Sequence, residues 1–109
     1  VLLYARSNLL STGGARHVQV ASRRHGARVW GAFSQITVAG YRQGDRANNI
    51  YFFGVQRMPG RPNTLAAVFP ASIEGEGGVY LSTSRDGLAW SRPVRHVASS
   101  LHADYRTSD

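Results

Sequence analysis

Val79-Tyr-Leu-Ser-Thr-Ser-Arg-Asp-Gly-Leu-Ala-Trp90 decides the fold class of this chain. Apolar and polar residues alternate up to Ser84, Asp86-Gly87 supplies a tight turn, and Trp90 opens the returning segment. Alternation at period two reads as a half-buried strand. In such a turn Gly takes positive φ at no steric cost, an Asp carboxylate accepts backbone N–H groups, and a Trp ring covers the loop. The stretch therefore predicts a β-hairpin in which Ser84, Asp86, Gly87 and Trp90 serve the turn rather than any chemistry.

A degenerate second copy lies upstream. Val18-Gln-Val-Ala-Ser-Arg-Arg-His-Gly-Ala-Arg-Val-Trp30 aligns with the first at a constant offset, Val18 onto Val79 and Gly26 onto Gly87. His25 stands where Asp86 stands, and Trp30 is displaced by one position. Before each copy runs an apolar segment, Val1 to Asn8 and Leu65 to Ser72. Strand–loop–strand–turn–strand units at a fixed period are the pattern of a radial repeat.

The Ser-x-Asp-Gly-x-x-Trp hairpin resembles the aspartate box of sialidase-like propellers. Because Trp90 follows Asp86 so closely, it is more similar to hairpins of five-bladed propeller glycoside hydrolases of the arabinanase, levansucrase and invertase kind. The resemblance implies an all-β protein of four-stranded antiparallel propeller blades, here a partial β-propeller. On this reading residues 1–34 are the last three strands of one blade and 35–48 an inter-blade loop. Residues 49–97 form a complete four-stranded blade, and 98–109 begin the next connection. Strands are expected at 1–5, 17–22, 28–33, 49–57, 64–70, 78–84 and 90–97, with 49–57 buried on both faces and Glu74 to Gly78 a flexible loop. The chain opens with Val inside a strand pattern and so reads as a fragment of under two blades, whose natural partners are the remaining blades of the same propeller. Alone it is expected to be inactive and to self-associate, because sheet faces and edges lie uncovered.

Composition narrows the function classes. The formal charge of +7 arises from thirteen Arg and no Lys. Apart from Arg23-Arg24 these are scattered, whereas nucleic-acid binders cluster basic groups and interleave exposed aromatics; solvated Arg is the reading adopted, with no nucleic-acid partner. Runs such as Leu65 to Phe69 are too short to span a bilayer, and no membrane partner is expected. The absence of Cys excludes disulfides and thiolate metal sites. His17, His25, His96 and His102 are dispersed singly, without ligand spacing, so neither a metal nor a cofactor is expected.

What remains is carbohydrate chemistry, implied by the resemblance. Glycoside hydrolysis needs two carboxyl groups flanking the scissile oxygen. In such propellers they come from inner strands and from loops on one face, which here corresponds to residues 6–16, 35–48, 71–77 and 98–109. The acids available there are Asp45, Glu74, Glu76, Asp104 and Asp109, none in a matching catalytic motif, and solvated loop acids are the plainer reading. Asn49, Tyr51 and Arg42 are the candidates for substrate contact. Two functions follow: a glycoside hydrolase-like propeller acting on or binding carbohydrate, or a non-catalytic propeller binding glycans or protein partners on its loop face. A basic nucleic-acid-associated β module is a third.

Overall fold

The computed structural model describes residues 1–9, 15–45 and 47–98. Among the described residues the chain is all-β, without a helix. Strands β1 (Leu2–Leu9), β2 (Ala15–Ser22) and β3 (Ser34–Gln35) form one antiparallel sheet in that order. A second antiparallel sheet is built around the long strand β7 (Arg61–Ile73). On one side of it lie β5 (Asn49–Ile50) and β6 (Gly54–Met58), on the other β8 (Glu76–Ser84) and then β10 (Val94–Ala98). Two short segments, β4 (Thr37–Val38) and β9 (Ala89–Trp90), pair in parallel.

Two-residue turns set the second sheet. Pro59-Gly60 closes β6 onto β7, with Gly60 at φ 76°, as a type II turn requires at that position. Glu74-Gly75 closes β7 onto β8, and both residues have positive φ, 53° and 80°, the signature of a type I′ hairpin. The stretch expected as a flexible loop is thus a tight turn followed at once by β8. With both ends pinned, β7 pairs over thirteen residues instead of the expected 64–70.

One apolar cluster joins the sheets. Val18 and Val20 of β2, Ile36 and Val38 beside them, and Ile50, Ala67, Phe69, Tyr80 and Trp90 are buried together. Phe53, partly buried, packs against it, with ring centroids 5.0 Å from Phe69, 4.9 Å from Trp90 and 5.6 Å from Tyr4. Tilted and edge-on pairs of this kind contribute about 0.5–1.5 kcal/mol each beyond their burial.

The segments expected at 49–57, 64–70, 78–84 and 90–97 pair antiparallel in chain order, with two corrections. The first strand is interrupted. Between the pairings Ile50↔Ala71 and Gly54↔Val68 one strand advances by one residue more than its partner, leaving Phe52 75% exposed. Pro70 stands opposite the break. Its carbonyl accepts Tyr51 N–H at 3.1 Å, so the N–H that proline lacks would have pointed to the same side. The last strand is split as well: Trp90 belongs to β9, and β10 starts only at Val94.

Residues 28–33, expected as a strand, are not one. Gly31 N–H bonds to Ser22 O at 2.8 Å, Val29 is 80% exposed, and Trp30 lies under the Arg23 guanidinium at 4.9 Å instead of entering the core. The segment expected as a loop, 35–48, carries β4 and the end of β3. Of residues 98–109 only Ala98 is described. The sheets are open rather than closed among the described residues.

Candidate functional site

The Asp86 turn is a closed hydrogen-bond set. Asp86 Oδ1 accepts the N–H groups of Leu88 at 2.8 Å and Ala89 at 3.0 Å. The buried Ser84 Oγ accepts Gly87 N–H at 2.8 Å and gives its proton to Ala89 O at 2.6 Å. Trp90 Nε1 and Tyr4 Oη both donate to Gly87 O, at 3.1 and 2.8 Å. Backbone donation from Ala89 and Leu88 holds the Asp86 carboxyl below the usual carboxylate range. Burial, with the Asp86 charge nearby, raises the Tyr4 phenol to about 12 and keeps it a donor. Each of these bonds serves the turn, and Asp86 also lines an open depression of about 400 Å³ with Arg61, Thr64, Thr83 and Arg85.

The same motif in its second copy has none of this. Where His25 replaces Asp86, the turn closes by a backbone bond from Ala27 N to Arg24 O at 3.0 Å. In both copies the chain leaves its ladder after the turn and returns one backbone bond, Gly31 N–H to Ser22 O at 2.8 Å and Ser91 N–H to Thr83 O at 2.8 Å.

The candidate site lies at the opposite end of the second sheet, around the Glu74-Gly75 turn. Asn48, 3% exposed, ties two loops together. Its Nδ2 donates to Arg42 O at 3.0 Å and its Oδ1 accepts Glu74 N–H at 2.7 Å. Gly75 N–H reaches Ala47 O at 3.1 Å, and Asp45 Oδ1 accepts Ala47 N–H at 2.9 Å. Arg42, Ala47 and Asn48 are thereby held against the turn. Arg42, Asp45 and Glu74 line one open depression of about 580 Å³, with Tyr41 at its wall.

A smaller depression of about 210 Å³ adjoins it, sharing Gly40 and Glu74 and adding Glu76, Tyr80, Arg92 and Arg95. Glu76 and Arg95 form an ion pair of 3.8 Å there. Acids and guanidinium groups thus alternate along a continuous polar surface. Asp45, Glu74 and Glu76 are all exposed.

The other candidates are placed elsewhere. Asn49 Oδ1 accepts Arg16 N–H at 2.9 Å and fastens β2 to β5. Tyr51 lies under the Arg16 guanidinium at 5.6 Å and lines different depressions, one with Phe52 and one with Pro70 and Val97. Asp104 and Asp109, with His102, fall outside the described residues.

Sequence reasoning missed Arg95 and Tyr80, which face each other in the β8–β10 register and both reach Glu76, Arg92 beside them, and the environment of His17. The His17 side chain is 1% exposed, stacked on Tyr41 at 5.4 Å and 18°, with Nε2 2.9 Å from Ile36 O. Burial, only partly offset by that carbonyl, holds its pKa below the usual imidazole range. Its Nδ1 and the Tyr41 hydroxyl have no protein partner; burial pushes the Tyr41 phenol well up. A lone histidine in an alternating strand gives no signal of such a stack.

Among the described residues no group of three or more His, Cys, Asp or Glu could hold a metal ion, and no helix is long and apolar enough to cross a membrane. Comparison with protein-family models, with curated proteins and with solved structures finds no match.

Proposed function

We propose that the chain is part of a glycoside hydrolase-like propeller and that its loop end binds carbohydrate, with Arg42, Asp45 and Glu74 as the contacting groups. One observation carries this reading: the buried Asn48 amide bonds the backbone of Arg42 and of Glu74 and so joins two segments far apart in sequence, whose Arg42, Asp45 and Glu74 side chains line one depression. Vicinal sugar hydroxyls are satisfied by paired planar acceptors and by a guanidinium fork presented together. Tyr41 lines the same depression, and Arg92 and Arg95 line the one that adjoins it.

Asp45 and Glu74 on one depression also support a hydrolytic variant, in which they flank the scissile oxygen. Binding is favoured over hydrolysis for this chain, because both carboxyls stand in water and a general acid for this reaction works from a shielded site. Glycan-array screening followed by calorimetric titration of a hit tests the proposal. Arg42→Ala and Asp45→Asn are each expected to weaken binding at least about tenfold, the loss of one charge-assisted hydrogen bond, with unchanged melting. Turnover of aryl glycosides, abolished by Asp45→Asn, would shift the assignment to hydrolysis. Undiminished binding by both variants would place the glycan elsewhere.

A further inference from the structure

Charge is divided unevenly along this chain. The first forty-four residues hold Arg6, Arg16, Arg23, Arg24, Arg28 and Arg42 and no Asp or Glu, while all six acids follow from Asp45 on. The first sheet is drawn wholly from this stretch, so it carries guanidinium groups and no carboxylate. Its register brings two of them together. Arg6 stands opposite Val18, and Arg16 lies two residues along from Val18, so the two side chains are diagonal neighbours on one face. That face borders an open cleft of about 610 Å³ between the sheets. Tyr4, Arg6 and Val18 line it from the first sheet, and Tyr51, Phe52 and Phe53 from the segment joining β5 to β6. The extra residue between β5 and β6 sets Phe52 out at 75% exposure, as a bulge re-aims a side chain. The Arg16 guanidinium lies 5.6 Å over the Tyr51 ring. Among the described residues no acid lines the cleft, and neither Arg6 nor Arg16 is ion-paired.

We infer that this cleft binds single-stranded nucleic acid, with a base stacked on Phe52 and the adjoining phosphates on Arg6 and Arg16. Arginines scattered along the sequence argue against such a partner. The fold gathers them beside exposed aromatic rings, which is the combination that holds single strands. Charge selects the occupant first. An apolar covering segment would take two unpaired guanidinium groups out of water, an expensive burial, whereas phosphates meet both in charge-assisted hydrogen bonds. The aromatic ring narrows the choice further. A sulfated glycan would engage the guanidinium groups and leave the phenyl face of Phe52 idle, and a duplex keeps its bases stacked on one another. An unpaired base with its phosphates uses both features. The inference uses none of Arg42, Asp45 and Glu74, so it stands or falls apart from the carbohydrate reading.

Fluorescence anisotropy of a labelled short oligothymidylate, titrated with the full chain over a salt series, reads it directly. The wild-type chain is expected to bind, and to bind more weakly as salt rises. Phe52→Ala should lose about fivefold or more in affinity, the share of one stacked base, while Phe52→Trp, which restores a stacking ring, should bind like wild type. Arg6→Ala and Arg16→Ala should each lower the slope of log affinity against log salt by about 0.7, one phosphate contact on a single strand. Arg61→Ala removes equal charge at the Pro59-Gly60 end of β7, outside the cleft, and should leave affinity and slope close to wild type. Thermal melts confirm that each variant is folded. No binding, a duplex bound as tightly as the single strand, or Arg61→Ala as costly as Arg16→Ala overturns the inference. Thymidine monophosphate bound as tightly as the strand overturns it in favour of a free nucleotide. Phe52→Ala that holds both oligothymidylate and heparin as wild type does overturns it in favour of a charge-only site for sulfated glycans.

Discussion

Replacing Glu74 by glycine should stabilise this protein while removing a contact group from its candidate site. Glu74 holds φ at 53°, the only positive φ outside glycine among the described residues. It does so because the type I′ turn demands left-handed backbone at both central positions, and the first is normally Asn, Asp or Gly. An L-residue with a Cβ gives up roughly 1–2 kcal/mol there. Glycine removes that strain but is freer in the unfolded chain by about 0.4–1 kcal/mol. The balance is a gain of about 0.5–1 kcal/mol, or roughly 2–8 °C in melting temperature for a domain of this size. The bond from Glu74 N–H to Asn48 survives, since it uses backbone only. Thermal melts of wild type, Glu74→Gly and Glu74→Ala separate the two roles. The alanine variant keeps the Cβ, so it should lose glycan affinity without gaining stability, whereas the glycine variant should do both. A glycine variant that melts at or below wild type would falsify the strain argument. Retained affinity in the alanine variant would instead remove Glu74 from the site.

Gly87→Ala should act in the opposite direction. At φ 82° a Cβ would lie 2.5 Å from both Tyr4 Oη and Leu2 Cδ1, so left-handed strain and overpacking together should cost about 2–4 kcal/mol in urea unfolding; a loss under about 0.5 kcal/mol would mean the turn relaxes freely. Acid should destabilise the fold in two windows. His17 and Asp86 both have folded pKa values below their ordinary ones, so the unfolded chain binds more protons and stability falls with pH. The His17 share is present above the ordinary imidazole range and is lost as pH drops through the lowered value; the Asp86 share follows the same course in the carboxylate range. Urea midpoints across pH should lose the upper window in His17→Phe and the lower one in Asp86→Ala, and profiles superimposable on wild type would dismiss both assignments.

The turn at Ser84 to Trp90, though not its returning strand, was legible because its information is local. Carboxylate, hydroxyl, glycine and indole all act within seven residues, and each finds its partner inside the turn or on Tyr4. The same alignment misled at 28–33, where the indole does not return to the core. Alignment with the first copy predicts a strand there, but the turn at His25-Gly26 closes on its backbone alone and Arg23 holds Trp30 on the outside. Strand 49–57 failed for a reason lodged in another element. Pro70, some twenty residues away, withdraws a donor from the side facing it, and period-two reading of 49–57 contains no trace of that.

The candidate site shows the same division. Arg42, Asp45 and Glu74 could be nominated from the sequence as polar loop residues, yet nothing in their spacing says that they meet. The information sits in Asn48, which reads as an ordinary loop amide and is buried because it alone satisfies a carbonyl on one segment and an N–H on the other. A buried amide with both ends committed cannot be exchanged for an aliphatic residue without stranding those two backbone groups. The depression is therefore a consequence of backbone satisfaction, and the charged groups around it are carried into place by it. Asp86 and Glu74 divide the protein accordingly: the carboxylate at one end of the sheet is consumed by its own turn, while the one at the other end is left facing water by a turn that glycine would have made more cheaply.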